Sequence, residues 1–301
     1  MRIPPPGKMV EAGKARLHVQ VQGSGRPVVV LEAGIAASSL SWALVQSEIA
    51  RFTCVMSYDR AGFGWSGEAP FRNRGGAAAD DLALLLHNTG LPAPFILVGH
   101  SFGGLIVRIF QQRYPELVAG LVLVDPVVRA EWREMTPERA AMLARGVRLS
   151  RRGALLAKLG IVRAGLNALI GGSQRFPQLL ARASAGGASS VATRFVKQVQ
   201  MLPPELWPAI AGHWSEARSF QAMAANLEGL PASVAEVDEA LPMRDIPVTV
   251  ISAGKGNPEH AREAALSARG QLISAPEFGH WIQLDAPQLV VEAVRSMVTD
   301  Y

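Results

Sequence analysis

The 301-residue sequence predicts an α/β fold: a mostly parallel, doubly wound sheet with a helical segment inserted into it. Three observations carry that expectation. Short, continuously apolar runs alternate with segments of helical spacing over residues 1–126; strand character then disappears from about 127 to 243; two further strand–helix units follow. In order, residues 16–22 alternate polar and apolar and read as an early hairpin or edge strand. Residues 27–32, 53–58, 95–98 and 120–124 are unbroken apolar runs, as in strands buried on both faces. Helical spacing fills the gaps at 39–50, 75–88 and 102–113, the last stopped by Tyr114-Pro115. The middle third is rich in Ala, Leu and Arg, with breaks at Gly171-Gly172, Gly186-Gly187 and Pro203-Pro204 and a small-residue loop at 184–190. Strands return at 247–252 and 271–275, followed by helices at 258–268 and 286–299. The expected division is a core of residues 1–126 and 244–301 around an inserted helical lid, 127–243.

Composition narrows the class. Apolar residues make up 49% and charged residues 18%, which suits a large buried core and not a disordered chain. The longest apolar stretches are broken by Glu32 and Asp125 and fall short of the roughly 20 residues of a membrane span, so no transmembrane segment is expected. Residues 1–13 carry three consecutive prolines and no apolar core of a secretory signal, which points to the cytoplasm. The single cysteine, Cys54, sits in an apolar run and reads as a packed strand residue. The net charge of +5 is basic, but the cluster Arg145, Arg148, Arg151, Arg152, Lys158 and Arg163 lacks the interleaved aromatics of a nucleic-acid platform; it reads as a solvated face rather than a membrane contact.

The chemistry concentrates in Gly99-His100-Ser101-Phe102-Gly103, between an apolar run and a helical one. A serine on a sharp strand-to-helix turn is held in strained backbone with its hydroxyl pushed outward; flanking glycines let strand and helix pass closely. The amide of Phe102, at the positive end of the new helix, is placed to receive negative charge. A second donor is expected from the loop Ala33-Gly34-Ile35-Ala36, with the Ile35 amide as the choice, while Glu32 before it reads as structural, bonding to loop amides. The serine needs a proton acceptor that can later serve the leaving group, and His280, on a loop after the last strand, has the position for it. His18, His87, His213 and His260 read as packing or surface residues, and the side chain of His100 is expected to point away from the site. Two acids compete for the third place. Asp125 ends the strand after the nucleophile helix, where active sites of open parallel sheets cluster; Glu259 follows the next strand, and either preserves the order Ser, acid, His.

With these motifs the chain resembles the α/β-hydrolase superfamily over nearly its full length. The run from Tyr58 to Ser66, Tyr-Asp-Arg-Ala-Gly-Phe-Gly-Trp-Ser, is similar to the family's loop after its fourth strand, with Ala61 in place of a common glycine. The resemblance implies a lid between the sixth and seventh strands, and some members carry their acid after strand six. Where the family usually has His-Gly after its third strand, this sequence has Ala33-Gly34. Gly62-Phe63-Gly64-Trp65-Ser66-Gly67 also matches a dinucleotide fingerprint, but no helix opens inside it, so no nucleotide is expected. No Walker-type loop or cluster of metal ligands is present, and neither cofactor nor metal is implied. The expectation is a serine hydrolase acting on a small-molecule carboxylic ester through an acyl-enzyme, with a small to medium apolar acyl or alcohol group. Another bond (amide, lactone or the carbon–carbon bond of a diketone) and a non-catalytic ligand-binding role stand as alternatives.

Overall fold

The computed structural model describes residues 4–68, 74–170, 199–237, 243 and 245–301. The breaks expected at Gly171-Gly172 and Gly186-Gly187, and the loop at 184–190, lie outside these residues. Strands β1 (Lys8–Ala12) and β2 (Ala15–Gln22) form an antiparallel hairpin, and β2 runs antiparallel to β4 (Val55–Tyr58). The sequence reading has no counterpart for β1, a five-residue edge strand with only one full apolar repeat. From β4 the sheet continues through β3 (Val28–Glu32), β5 (Phe95–His100), β6 (Val118–Val124), β7 (Val248–Ala253) and β8 (Gly270–Ala275), every pairing parallel. The order is therefore β1-β2-β4-β3-β5-β6-β7-β8, a doubly wound sheet with an antiparallel hairpin at one edge.

The period of two along each central strand supplies both faces. Val28 and Val30 of β3 join Leu97, Leu121 and Val250 beneath helices α2 (Gly75–Thr89) and α3 (Phe102–Arg113). Val29 and Leu31 face the other way, with Val98, Val122 and Ile251, against α1 (Ala43–Ile49) and α11 (Pro287–Thr299). Cys54 is buried at the entry to β4. Between β7 and β8 lies α9 (Pro258–Ala264), shorter than the expected 258–268. Its continuation is drawn off by tertiary bonds, Met243 N to Leu266 O and Ser267 Oγ to Ile246 O, which favour a turn over another helical repeat. The short α10 (Ile282–Asp285) precedes α11.

Five described helices lie between β6 and β7: α4 (Ala130–Arg133), α5 (Pro137–Lys158), α6 (Ile161–Ile170), α7 (Trp207–Trp214) and α8 (Ala217–Ala235). The α5 helix starts where Thr136 caps the amide of Arg139 and Pro137 fills a position that needs no N–H. Helix α8 ties the insertion to the core. The first turn of α2 has no side-chain cap of its own; Ser233 Oγ and the carboxylate of Glu236 accept the amides of Gly75 and Gly76 at 2.8 and 2.6 Å. An anionic group at a helix N-terminus also meets the positive end of the macrodipole. Helix α7 buries Ala209 and Ile210 against Leu40 and Leu284. No helix among the described residues is long and apolar enough to cross a membrane.

Glycine positions give a check on this packing. A Cβ on Gly103 would lie 2.4 Å from Glu32 O and 2.7 Å from Ala33 O, both backbone atoms. Gly103→Ala is therefore expected to lose about 3 kcal/mol in urea denaturation. Gly212, inside α7 with nothing within 4 Å of its Cβ position, is the contrast, and Gly212→Ala is expected to gain about 0.5–1 kcal/mol.

Candidate active site

Ser101 stands between the last residue of β5 and the first of α3 with φ 53° and ψ −118°. This left-handed backbone is sparsely populated for a residue with a Cβ and persists only where the surroundings force it. They do. Ser101 N donates to Val124 O at 3.0 Å, its carbonyl accepts from Gly104 and Val127, and a Cβ on Gly99 would sit 2.6 Å from Gly103 O. Strand and helix thus approach backbone to backbone, and the seryl side chain is left half-buried at the bend.

The loop after β3 lies against this bend. A Cβ on Gly34 would be 2.9 Å from His100 Nδ1 and 3.4 Å from Ser101 Cβ. Its shape is set from below by Arg60, whose guanidinium pairs with Glu32 and donates to the carbonyls of Ala33 and, at 2.6 Å, Gly34. Tyr58 also donates its hydroxyl to Glu32. Glu32 is fully buried and structural, as its place at a strand end suggests, but it acts on the loop through Arg60 rather than by bonding loop amides. Ile35, partly buried against the core, follows the clamped Gly34, and Ala36 takes up the turn with φ 63°.

His280 reaches Asp125 across the ends of β6 and β8: His280 Nδ1 to Asp125 Oδ2 is 2.6 Å. Asp125 has φ 40°, donates its amide to Ile251 O at 2.7 Å and accepts the amide of Ala253 at 3.0 Å on Oδ1. Burial opposes ionisation of this carboxyl, but the bonds from His280 and Ala253 outweigh it and hold Asp125 below its ordinary value. Glu259, the competing acid, pairs with Arg262 on the first turn of α9 and has no bond to His280. The side chain of His280 is half exposed, and Ser101 Oγ carries no hydrogen bond among the described residues.

Two histidines expected to be bystanders touch this assembly. His100 does not point away: its Nε2 donates to His280 O at 2.8 Å and its ring centroid lies 4.7 Å from that of His280. The strand's alternation turns residue 100 opposite to residue 99, straight toward the loop after β8. Burial, then the nearby positive charge of a protonated His280, hold the His100 pKa down to about 3, so the ring is neutral. His260, buried in α9, donates Nε2–H to Pro126 O at 3.0 Å, which leaves Nδ1 to accept from Ser252 Oγ at 2.7 Å. It thereby fastens the residue after Asp125 to the end of β7. Nothing in the local sequence marks either contact.

The glycine-rich run at 62–67 is a turn wrapped around buried Asp59, which accepts from the amides of Ser39 and Trp65 and pairs with His18 at 2.9 Å. A Cβ on Gly64 would fall 2.1 Å from that carboxylate, so the glycine serves the aspartate and no helix opens there. Among the described residues no group of three or more His, Cys, Asp or Glu side chains is arranged to hold a metal ion.

The eight-stranded, mostly parallel sheet with its flanking helices agrees with the fold of known proteins. A fungal AB hydrolase superfamily protein from Gibberella zeae is 35% identical over 119 residues, 36% of this chain and 37% of that protein. A lipase, LipV, of Mycobacterium tuberculosis is 33% identical over 132 residues, 42% of this chain and 48% of the lipase. The chain thus spans less than half the length of these curated relatives. A thermophilic esterase from Thermogutta terrifontis shares the fold with a TM-score of 0.62 at 23% identity, over 95% of this chain and 94% of the esterase. The family model for the alpha/beta hydrolase fold matches residues 27–287, and the chain belongs to that family.

Proposed function

We propose that the protein is a serine hydrolase that cleaves carboxylic esters with Ser101 as nucleophile, His280 as general base and Asp125 as the acid. The observation that carries this reading is the 2.6 Å bond between His280 Nδ1 and Asp125 Oδ2, beside a serine in strained backbone. A carboxylate on Nδ1 keeps the proton there, so Nε2 presents a lone pair for the seryl proton. Ser101 Oγ attacks the ester carbonyl as that proton passes to Nε2; the proton then goes to the departing alcohol, leaving an acyl-serine. Water, deprotonated by the same imidazole, releases the acid and restores the serine. The bond between Ser101 and His280 closes on substrate, since such bonds are often long in the unliganded enzyme.

The oxyanion is received by the amides of Phe102 and Ile35. For Phe102 the support is its place as the first residue of α3, where the amide has no partner within the helix. For Ile35 it is the geometry of a trans peptide: carbonyl and N–H of one unit point in opposite directions. With Gly34 O drawn onto Arg60, the Ile35 N–H turns away from Arg60, and the Cβ position of Gly34 lies 3.4 Å from Ser101 Cβ. The preference for a small to medium apolar acyl or alcohol group is supported by Leu40, Ile210, Leu284, Trp65 and Trp281, which cluster where α7 meets the His280 loop.

Three measurements test this. A fluorophosphonate probe is expected to label Ser101 in the wild type and not in Ser101→Ala, whose turnover of p-nitrophenyl esters falls by about 10⁶. Absence of labelling would favour a non-catalytic ligand-binding role. Across esters of rising acyl length kcat/KM is expected to peak at short to medium chains. Asp125→Asn is expected to cost about 10⁴ in kcat, whereas Glu259→Gln stays near wild type; the reverse ranking would overturn the acid assignment. A fourth concerns stability. The folded-state pKa of His100, about 3, lies below its ordinary 6.5, so the unfolded chain binds the extra proton between those values. Stability is therefore full above about pH 6.5 and falls as pH drops toward 3, and the slope between about pH 6 and pH 4 is expected to be shallower by about 1.4 kcal/mol per unit in His100→Asn.

A further inference from the structure

The outer face of the insertion is not used by the reaction above. Helix α5 turns its small residues inward: Gly146 and Gly153 leave room for Leu227 and Phe220 of α8, and Val147, Ser150, Ala154 and Ala157 are buried with them. Away from that side Leu155 and Leu156 are exposed, with Leu159 at the C-cap; Leu149 and Met142 are exposed on the flank that joins this surface to the buried side, and Ile161 opens α6 beside it. These are bare aliphatics, with Met142, Leu155 and Leu159 exposed to 57%, 63% and 71%. Exposed apolar side chains clustered along the outer side and one flank of a helix mark a contact surface.

Charge identifies the partner. Between Arg139 and Arg163 the sequence has seven Lys or Arg and no Asp or Glu, in a chain whose totals are nearly balanced at 30 and 25. Glu228 of α8 reaches Arg151 at 2.6 Å. Arg145, Arg148, Arg152 and Lys158, on the aliphatic face or at its margin, have no carboxylate partner among the described residues. A second copy of the chain would bring the same positive field against itself. A nucleic acid would find no aromatic to stack on, because residues 139–170 contain no Phe, Tyr or Trp. A surface with negative headgroups above an apolar layer matches both halves: aliphatics enter the acyl boundary while arginine and lysine stems carry their charges up to the headgroups.

We propose that the outer face of α5 and the start of α6 dock on an anionic phospholipid bilayer, with α5 lying parallel to the surface. The 22 residues of α5 give a contact about 33 Å long. The reading of this stretch as a plain solvated face rests on the cations alone; the outward aliphatics, visible once α8 is seen to take the small-residue side, set it apart.

Co-sedimentation of the full chain with vesicles tests it directly. Binding to vesicles containing phosphatidylglycerol is expected to be at least tenfold tighter than to pure phosphatidylcholine, and to be lost in 1 M salt. Arg145→Glu with Arg148→Glu and Arg152→Glu, and separately Leu155→Asp with Leu159→Asp, are each expected to weaken that binding by tenfold or more. Hydrolysis of a water-soluble p-nitrophenyl ester and the melting temperature are expected to stay unchanged. Equal affinity for the two vesicle types, no binding to either, or undiminished binding by either variant set would overturn the proposal. So would retention on heparin or single-stranded DNA without retention on vesicles. The wild-type comparison stands even if a variant misfolds, and it does not depend on whether Ser101 is the nucleophile.

Discussion

The buried ion pair between Glu32 and Arg60 is the constraint on which the site's geometry rests. Glu32 ends β3 with no exposed surface, and Arg60 leaves β4 one strand away, so the pair spans the two strands at their carboxyl ends. Burial is the largest influence on the Glu32 carboxyl and pushes it up, with Arg60 and the Tyr58 hydroxyl pulling it partly back. Such a pair adds little net stability, since two desolvated ions only offset their own cost; removing one partner leaves an uncompensated charge. Its effect here is conformational. The remaining guanidinium hydrogens hold the carbonyls of Ala33 and Gly34 and fix the orientation of the peptide that follows. The start of α3 presses on the same segment, because Gly103 leaves no room for a side chain above Glu32 O and Ala33 O. Seryl bend and first loop are thus positioned against one reference.

The insertion is joined to the core by polar contacts as much as by packing. Ser233 of α8 and Glu236 at its C-cap supply the caps that α2 lacks, and Arg218 at the other end of α8 donates to the carbonyls of Gly64 and Ser66. Trp65 lies between His18 of β2 and His213 of α7, with ring centroids 4.8 and 4.4 Å away. The loop around Asp59 therefore faces two ways: its aspartate collects amides from the core, and its outer carbonyls and indole meet the insertion. This explains a glycine-rich spacing that formally resembles a nucleotide fingerprint.

What the sequence made legible was local chemistry. The seryl bend could be read because its strain demands glycines two residues to either side, Gly99 and Gly103, and because a strand and a helix flank it. The sheet could be read because strands buried on both faces leave unbroken apolar runs. The choice between Asp125 and Glu259 stayed open because both follow strands of the sheet, and only the approach of the loop after β8 to the end of β6 separates them. Arg60 was visible in a motif but not its targets, Ala33 and Gly34, more than twenty residues earlier. The contact of His100 is not legible in the sequence, because alternation gives the face its ring takes but not that the loop after β8 lies there. The edge strand β1 was too short to show a period, and α9 ended early for reasons supplied by distant residues, Met243 and Ile246.

Three histidines around the carboxyl ends of β5 to β8 show how hydrogen bonds fix the tautomers of the rings in such a site. His100 and His260 each give Nε2–H to a backbone carbonyl, of His280 and Pro126 respectively, so in both rings the remaining lone pair is on Nδ1. For His260 that lone pair is taken by Ser252 Oγ; for His100 it is buried without a partner, under Gly34. His280 is arranged the other way round. Its Nδ1 faces the carboxylate of Asp125, which can only accept, so the neutral ring carries its proton on Nδ1 and its lone pair on Nε2. Two imidazoles are locked in one tautomer to hold backbone, and the third is held in the opposite tautomer at the half-exposed edge of the site. Of the three, His280 is the one that combines a lone pair on Nε2 with a half-exposed side chain, which is why the proposed base is this ring and neither of its neighbours.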